Sequence, residues 1–142
     1  MVYQVSKILP YSKHLLYEIV ADVKSYPDFL PWLKTANVYS KTAEYFEADL
    51  IISFGPLEKQ YCSEVCLTDN SIKTTAKPDG LFKHLTSLWT FKVIDQHQTE
   101  IEFTIDFQLS SPILQLTVGK FLEEATKTMI QAFEERAAKL TI

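Results

Sequence analysis

The sequence predicts an α+β fold: a curved antiparallel sheet of about six or seven strands wrapped around one long C-terminal helix. Two patterns predict it. Between residues 45 and 109 apolar side chains recur at every second position, the spacing of strands with one buried face. From residue 112 to 140 the spacing changes to three and four, the mark of an amphipathic helix. With 142 residues, the chain is expected to form a single domain, residues 1–142, around one core.

Residues 2–9 read as a first strand that Pro10 ends. Leu15, Leu16, Ile19, Val20 and Val23 follow at helical spacing, with Ser12 as the N-cap and Pro27 as the stop. Directly after Pro27-Asp28 comes the apolar run FLPWLK, where a polar loop would be ordinary.

The sheet segments come next. Phe46, Ala48, Leu50, Ile52 and Phe54 alternate with Glu47, Asp49 and Ser53, and Gly55-Pro56 marks a turn. In 57–67, Leu57, Tyr61, Val65 and Leu67 oppose Glu58, Gln60, Cys62 and Glu64. Ser71–Ala76 reads as a short strand leading into a Pro78-Asp79-Gly80 turn. Leu85, Trp89, Phe91 and Val93 mark one long strand, and Ile101, Phe103, Ile105, Phe107 and Leu109 mark the next. In the latter, Glu100, Glu102, Thr104, Asp106 and Gln108 must face water.

Ser110-Ser111-Pro112 is a helix-start signal. One helix over 112–140 would be about 40 Å long. Its stripe is Leu114, Val118, Phe121, Leu122, Ala125, Met129, Ala132, Phe133, Ala137 and Leu140, and the aromatic sheet face is the surface available to bury it. Gly119 inside this helix costs about 1 kcal/mol relative to Ala, to be offset by close approach of a strand or by room for a ligand.

Several classes of activity find no support. A net charge of −4 argues against a DNA partner, since neutralising phosphates needs clustered Lys and Arg. His14, His84 and His97 fall on separate elements without metal-ligand spacing, and three glycines make no phosphate loop. Cys62 and Cys66 lie among acidic residues, which disfavours a thiolate; on a strand they share a face about 13 Å apart, too far to bridge. Both read as free thiols with a packing role. The acidic pairs Glu100/Glu102 and Glu123/Glu124 sit on faces read as solvated. No catalytic residue, metal ligand or cofactor site is assigned, and the protein is not expected to be an enzyme. The start MVYQVSKILPYSKH lacks the basic end and long apolar stretch of a signal peptide, which predicts a cytoplasmic protein.

Four stretches carry a family resemblance: VADVKSYPDFLPW (20–32), ISFGPLEKQYCSEV (52–65), GLFKHLTSLWTF (80–91), and SSPILQ with FEERAAKL (110–115 and 133–140). In these the chain resembles the coenzyme Q-binding and ribosome association toxin (RatA) family of the START-like, polyketide cyclase/dehydrase-like superfamily. The resemblance implies a helix-grip fold that encloses an apolar ligand under the C-terminal helix, ubiquinone or another isoprenoid lipid, with no catalytic step. The implied cavity lining is Phe54, Tyr61, Trp89, Phe91, Phe103, Ile105, Phe107, Leu114, Val118, Phe121 and Met129. Without the resemblance, the aromatics among these read first as a closed core.

An empty apolar void of about 300 Å³ would cost on the order of 7 kcal/mol, so a cavity of that size must collapse, hold water or stay occupied. A mouth formed by Phe29, Leu30, Trp32, Phe82 and His84 could touch a bilayer transiently, at the inner membrane, and exchange the lipid. Trp32 could equally be a staple closing one end of the sheet. Tyr61, His84 and Lys83 are the candidate headgroup contacts. The toxin side of the resemblance implies a different partner, the large ribosomal subunit. That surface would need Lys7, Lys13, Lys24, Lys34, Lys41, Lys83, Lys120 and Lys139 to gather in space.

Overall fold

The computed structural model describes residues 1–78 and 80–141. The chain order is β1 (Val2–Leu9), α1 (Lys13–Ala21), a 3₁₀ segment (Val23–Asp28), then β2 (Leu33–Tyr39), β3 (Tyr45–Phe54), β4 (Leu57–Leu67), β5 (Ser71–Ala76), β6 (Phe82–Asp95) and β7 (Gln98–Leu109). The C-terminal helix is built from α2 (Pro112–Leu114), a π turn (Gln115–Gly119), α3 (Lys120–Lys127) and α4 (Met129–Leu140). The strands form one seven-stranded sheet in the order β1-β7-β6-β5-β4-β3-β2, with every pairing antiparallel. It is a meander whose N-terminal strand returns to pair with the last one. The predicted α+β architecture, a curved antiparallel sheet against a C-terminal helix, is the observed one.

Hydrophobic burial accounts for the curvature and the packing. Phe46, Ala48, Leu50 and Ile52 of β3, with Leu85, Trp89 and Phe91 of β6 and Ile101, Phe103 and Phe107 of β7, form the concave face. Phe133, Ala137 and Ile130 of α4 pack into it, and α1 adds Leu16, Ile19 and Val20 at one end. Ser12 caps α1 through its Oγ, which accepts from the Leu15 N–H at 3.2 Å. Ser111 caps α2 in the same way, accepting from Leu114, with Pro112 in the first turn.

The structure departs from the sequence reading at particular places. The helix after Ser12 ends at Ala21 rather than at Pro27, because Asp22 leaves helical geometry (φ −85°, ψ 67°). Pro27 then sits inside the 3₁₀ segment. A strand over Leu33–Tyr39 had no signal: it is an edge strand, its register shifts between Leu33 and Thr35, and its partly buried residues, Ala36 and Val38, are small. The C-terminal helix is interrupted by the π turn and again at Thr128 (φ −100°, ψ 0°). Leu140 therefore leaves the buried stripe and is 52% exposed. Val93 and Leu57 are exposed too, since each lies where a strand runs beyond the core. The Pro78-Asp79-Gly80 turn includes Asp79, which lies outside the described residues.

Both cysteines are free, but only Cys62 has a packing role; Cys66 is exposed. Cys62 lies on the convex face beneath Tyr39, whose hydroxyl is 3.1 Å from its Sγ. Burial pushes the thiol up from its ordinary range, so it stays protonated and unreactive. Gly119 offsets its helix penalty by close approach. A Cβ there would lie 2.5 Å from the Gln115 side-chain nitrogen and 3.6 Å from Leu109 of β7.

An apolar cavity between sheet and helix

The concave face and the helix do not close completely. A cavity of about 110 Å³ remains between the sheet, the segment carrying Tyr26, Leu30 and Trp32, and the α3–α4 helices at Leu122, Ala125, Thr126 and Met129. Leaving this volume empty costs about 3 kcal/mol at 24 cal/mol per Å³, which a domain of ordinary stability tolerates. It is smaller than the 150 Å³ engineered cavity that admits benzene, so in this shape it holds no isoprenoid chain.

Of the lining residues implied by the family resemblance, Tyr61, Trp89, Phe103, Ile105, Phe107 and Met129 stand on the cavity wall. The others lie elsewhere. Phe54 and Phe121 stack on each other at 5.1 Å away from the cavity, and Phe91 packs against Tyr17 of α1 at 5.2 Å. Leu114 and Val118 belong to the first turns of the C-terminal helix, short of the part that reaches the cavity.

Among the mouth residues, Leu30, Trp32 and Phe82 also line the cavity. Phe29 instead sits against α4, its ring 5.1 Å from Phe133 with the Arg136 guanidinium 5.2 Å above it. His84 points to the convex face, where its Nε2 is 3.1 Å from the Asp106 carboxylate. A register shift between Phe82 and His84 turns both Phe82 and Leu85 inward and leaves His84 outside. In FLPWLK, Leu30 is 2% and Leu33 4% exposed, so the run plugs the space between sheet and helix and offers Pro31 and Lys34 to the outside. The preceding Tyr26 completes the plug: its hydroxyl donates to the Val20 carbonyl and its ring meets Phe133 edge-on at 5.2 Å.

Sequence reasoning missed the polar part of the wall. Ser63, Thr74, Ser87 and Thr126 all line the cavity. The signal was present, because Ser63, Thr74 and Ser87 occupy inward positions of strands whose other inward residues are apolar. Thr74 and Ser87 pair across β5 and β6 with their hydroxyl oxygens 2.5 Å apart, and Thr126 donates to the Leu122 carbonyl at 2.8 Å. Burial holds the phenols of Tyr26 and Tyr61 well above their ordinary value, so both remain neutral donors.

Three of the lysines named from the sequence have local partners. Lys7 pairs with Glu134 at 2.9 Å, Lys34 with Glu58 at 2.5 Å, and Lys13 donates to Asn70 at 2.5 Å, each on a different element. Among the described residues, no helix is long and apolar enough to cross a membrane.

An antiparallel sheet gripping a C-terminal helix over an apolar cavity defines a helix-grip, START-like protein. The chain belongs to the polyketide cyclase/dehydrase and lipid transport family, whose pattern it matches over residues 9–134. It is 38% identical, over 97% of both chains, to the ribosome association toxin RatA of Rickettsia prowazekii. It is 29% identical to the mitochondrial coenzyme Q-binding protein COQ10 homolog B of Xenopus laevis, across 97% of this chain and 58% of that one. Among solved structures, a START superfamily protein from Mycobacterium smegmatis superposes with a TM-score of 0.83 at 17% identity, covering 98% of each chain.

Proposed function

We propose that the protein works without catalysis, by associating with the large ribosomal subunit and hindering its union with the small one, as a RatA-type toxin of the cytoplasm. The observation that carries this reading is the 38% identity to a ribosome association toxin along 97% of both chains. The size of the cavity is consistent with it, since a function at the ribosome needs no room for a lipid tail. The contact is expected to depend on salt less steeply than phosphate binding does, because Lys7 and Lys34 are ion-paired and the net charge is −4.

The test is a sucrose gradient of bacterial ribosomal subunits, mixed with the protein under associating magnesium. The joined-ribosome peak should shrink as protein is added, with the protein travelling in the large-subunit fractions. Protein that stays at the top of the gradient at low salt, with the joined peak intact, would sink the reading.

The apolar cavity favours a second reading, carriage of ubiquinone or a similar isoprenoid lipid with brief contact at a membrane surface. It requires the helix to move away from the sheet, because the tail does not fit the present volume. Organic extraction of the purified protein, followed by mass spectrometry against an unrelated control protein, decides it. A quinone at a stoichiometric amount supports the carrier, and an extract matching the control removes it.

A further inference from the structure

The start of the C-terminal helix presents more apolar surface to water than the fold uses. Ile113 is 73% and Leu116 83% exposed, three residues apart on one helix face, and Lys120 follows four residues later. The opposite face does the packing: Val118 is fully buried, Leu114 lies against the core, and Phe121 stacks on Phe54 at 5.1 Å. Phe54 pairs with Leu57 across the Gly55-Pro56 turn, and Leu57 is itself 44% exposed. The Ser110 N–H donates to the Leu81 carbonyl at 3.0 Å and its hydroxyl to the Gly80 carbonyl, which brings the β5–β6 connection to the same end of the molecule.

Lysines surround these residues. Lys120 continues the line of Ile113 and Leu116, Lys59 follows Leu57 on the same face of β4, and Lys83 lies just beyond the β5–β6 connection. None of the three has an ion-pair partner among the described residues. The carboxylates beside two of them are engaged elsewhere: Glu58 with Lys34 at 2.5 Å, and Glu123 and Glu124 with Lys127 at 3.6 and 3.9 Å.

Residue type selects the partner. Protein interfaces concentrate aromatic residues and arginine at their centre and are depleted in lysine. Single-stranded RNA is held on exposed aromatic rings. Here the aromatics Phe54, Phe82 and Phe121 are turned toward the core, and what faces out is aliphatic with lysine around it. A lipid surface accepts that set: aliphatic tips enter the acyl boundary, while lysine stems lie along it and their ammonium groups reach anionic headgroups.

We propose that this end of the molecule, Leu57, Ile113 and Leu116 rimmed by Lys59, Lys83 and Lys120, docks the protein on an anionic bilayer. The proposal rests on the carrier reading for a membrane as partner, and it moves the contact from FLPWLK, which is buried as a plug, to the first turns of the C-terminal helix. It needs no quinone in the cavity.

Flotation of the full chain with phosphatidylcholine vesicles, with and without phosphatidylglycerol, tests it. Binding should appear with the anionic lipid and weaken as salt rises. Ile113→Asn combined with Leu116→Asn should lower it about tenfold or more, and Lys120→Gln alone about fivefold. All three positions are exposed, so urea midpoints should match the parent, which separates docking from folding. Absence of flotation with anionic vesicles would overturn the proposal, as would binding that survives both the aliphatic and the lysine changes. If the same changes instead release the protein from the large ribosomal subunit and vesicles go unbound, the surface belongs to the ribosome and the membrane assignment falls. The quinone extraction separates this proposal from the carrier reading. Vesicle binding that is lost in the aliphatic variant, with no quinone in the extract, upholds this surface and removes the carrier. A quinone in the extract, with vesicle binding unchanged in that variant, keeps the carrier and rejects this surface.

Discussion

Phe133→Ala is expected to lower the unfolding free energy by about 3–5 kcal/mol, a large part of what a domain this size possesses. Phe133 is 1% exposed and meets three aromatic rings edge-on: Tyr26 at 5.2 Å, Phe29 at 5.1 Å and Trp89 at 4.9 Å. Those neighbours belong to the 3₁₀ segment, the FLPWLK run and β6, so this single ring ties α4 to both the plug and the sheet. Its loss leaves a void that rigid rings cannot close, which places the change at the costly end of large-to-small substitutions. Urea denaturation measures it, with Leu116→Ala as the control, because Leu116 is 83% exposed and its truncation should stay within about 0.5 kcal/mol of the parent. A Phe133→Ala protein within 1 kcal/mol of the parent, on the scale of an average surface change, would show that the aromatic cluster is not the keystone described above.

The same cluster explains what the sequence could and could not reveal. Periodicity identified β3 and β7 because one face of each is apolar almost without exception. Leu33–Tyr39 was illegible because an edge strand with small, half-buried residues leaves no such trace. FLPWLK looked like an exposed lip because a run of apolar residues after a turn says nothing about direction; only the tertiary position of Phe133 and Arg136 turns Phe29 inward. Five of the family-implied lining residues, Tyr61, Trp89, Phe103, Ile105 and Phe107, reached the cavity since strand alternation fixes which face a side chain takes, and Met129 joins them from α4. Leu114, Val118 and Phe121 missed it because a helical stripe fixes a face and leaves the depth along the axis open. Ser63, Thr74 and Ser87 passed unnoticed for the opposite reason: a search for apolar periodicity discards the polar residue at an inward position.

Alkaline pH should unfold the protein through two phenols in that region. Burial holds Tyr26 and Tyr61 above the ordinary value of 10.0, the neighbouring Tyr61 and Asp22 adding to the effect at Tyr26. In the unfolded chain both titrate near their ordinary value, so above about pH 10 the unfolded state holds fewer protons than the folded one. Their contribution is complete below that pH and is lost as pH rises toward the folded values. Each tyrosine adds up to about 1.4 kcal/mol of lost stability per pH unit, hence about 3 kcal/mol per unit for the pair. Tyr17, Tyr39 and Tyr45 are raised as well and form a background common to every variant compared. Tyr26→Phe and Tyr61→Phe should each remove about half of the pair's slope when urea midpoints are followed from about pH 8 to 11.5. At neutral pH the two should differ. Tyr26→Phe forfeits the bond to the Val20 carbonyl and costs about 1 kcal/mol, whereas Tyr61→Phe removes a hydroxyl without a protein partner and should cost nothing or stabilise slightly. Equal alkaline slopes in the parent and both variants would refute the assignment. An equal neutral-pH cost would mean that the Tyr61 hydroxyl has a partner in solution.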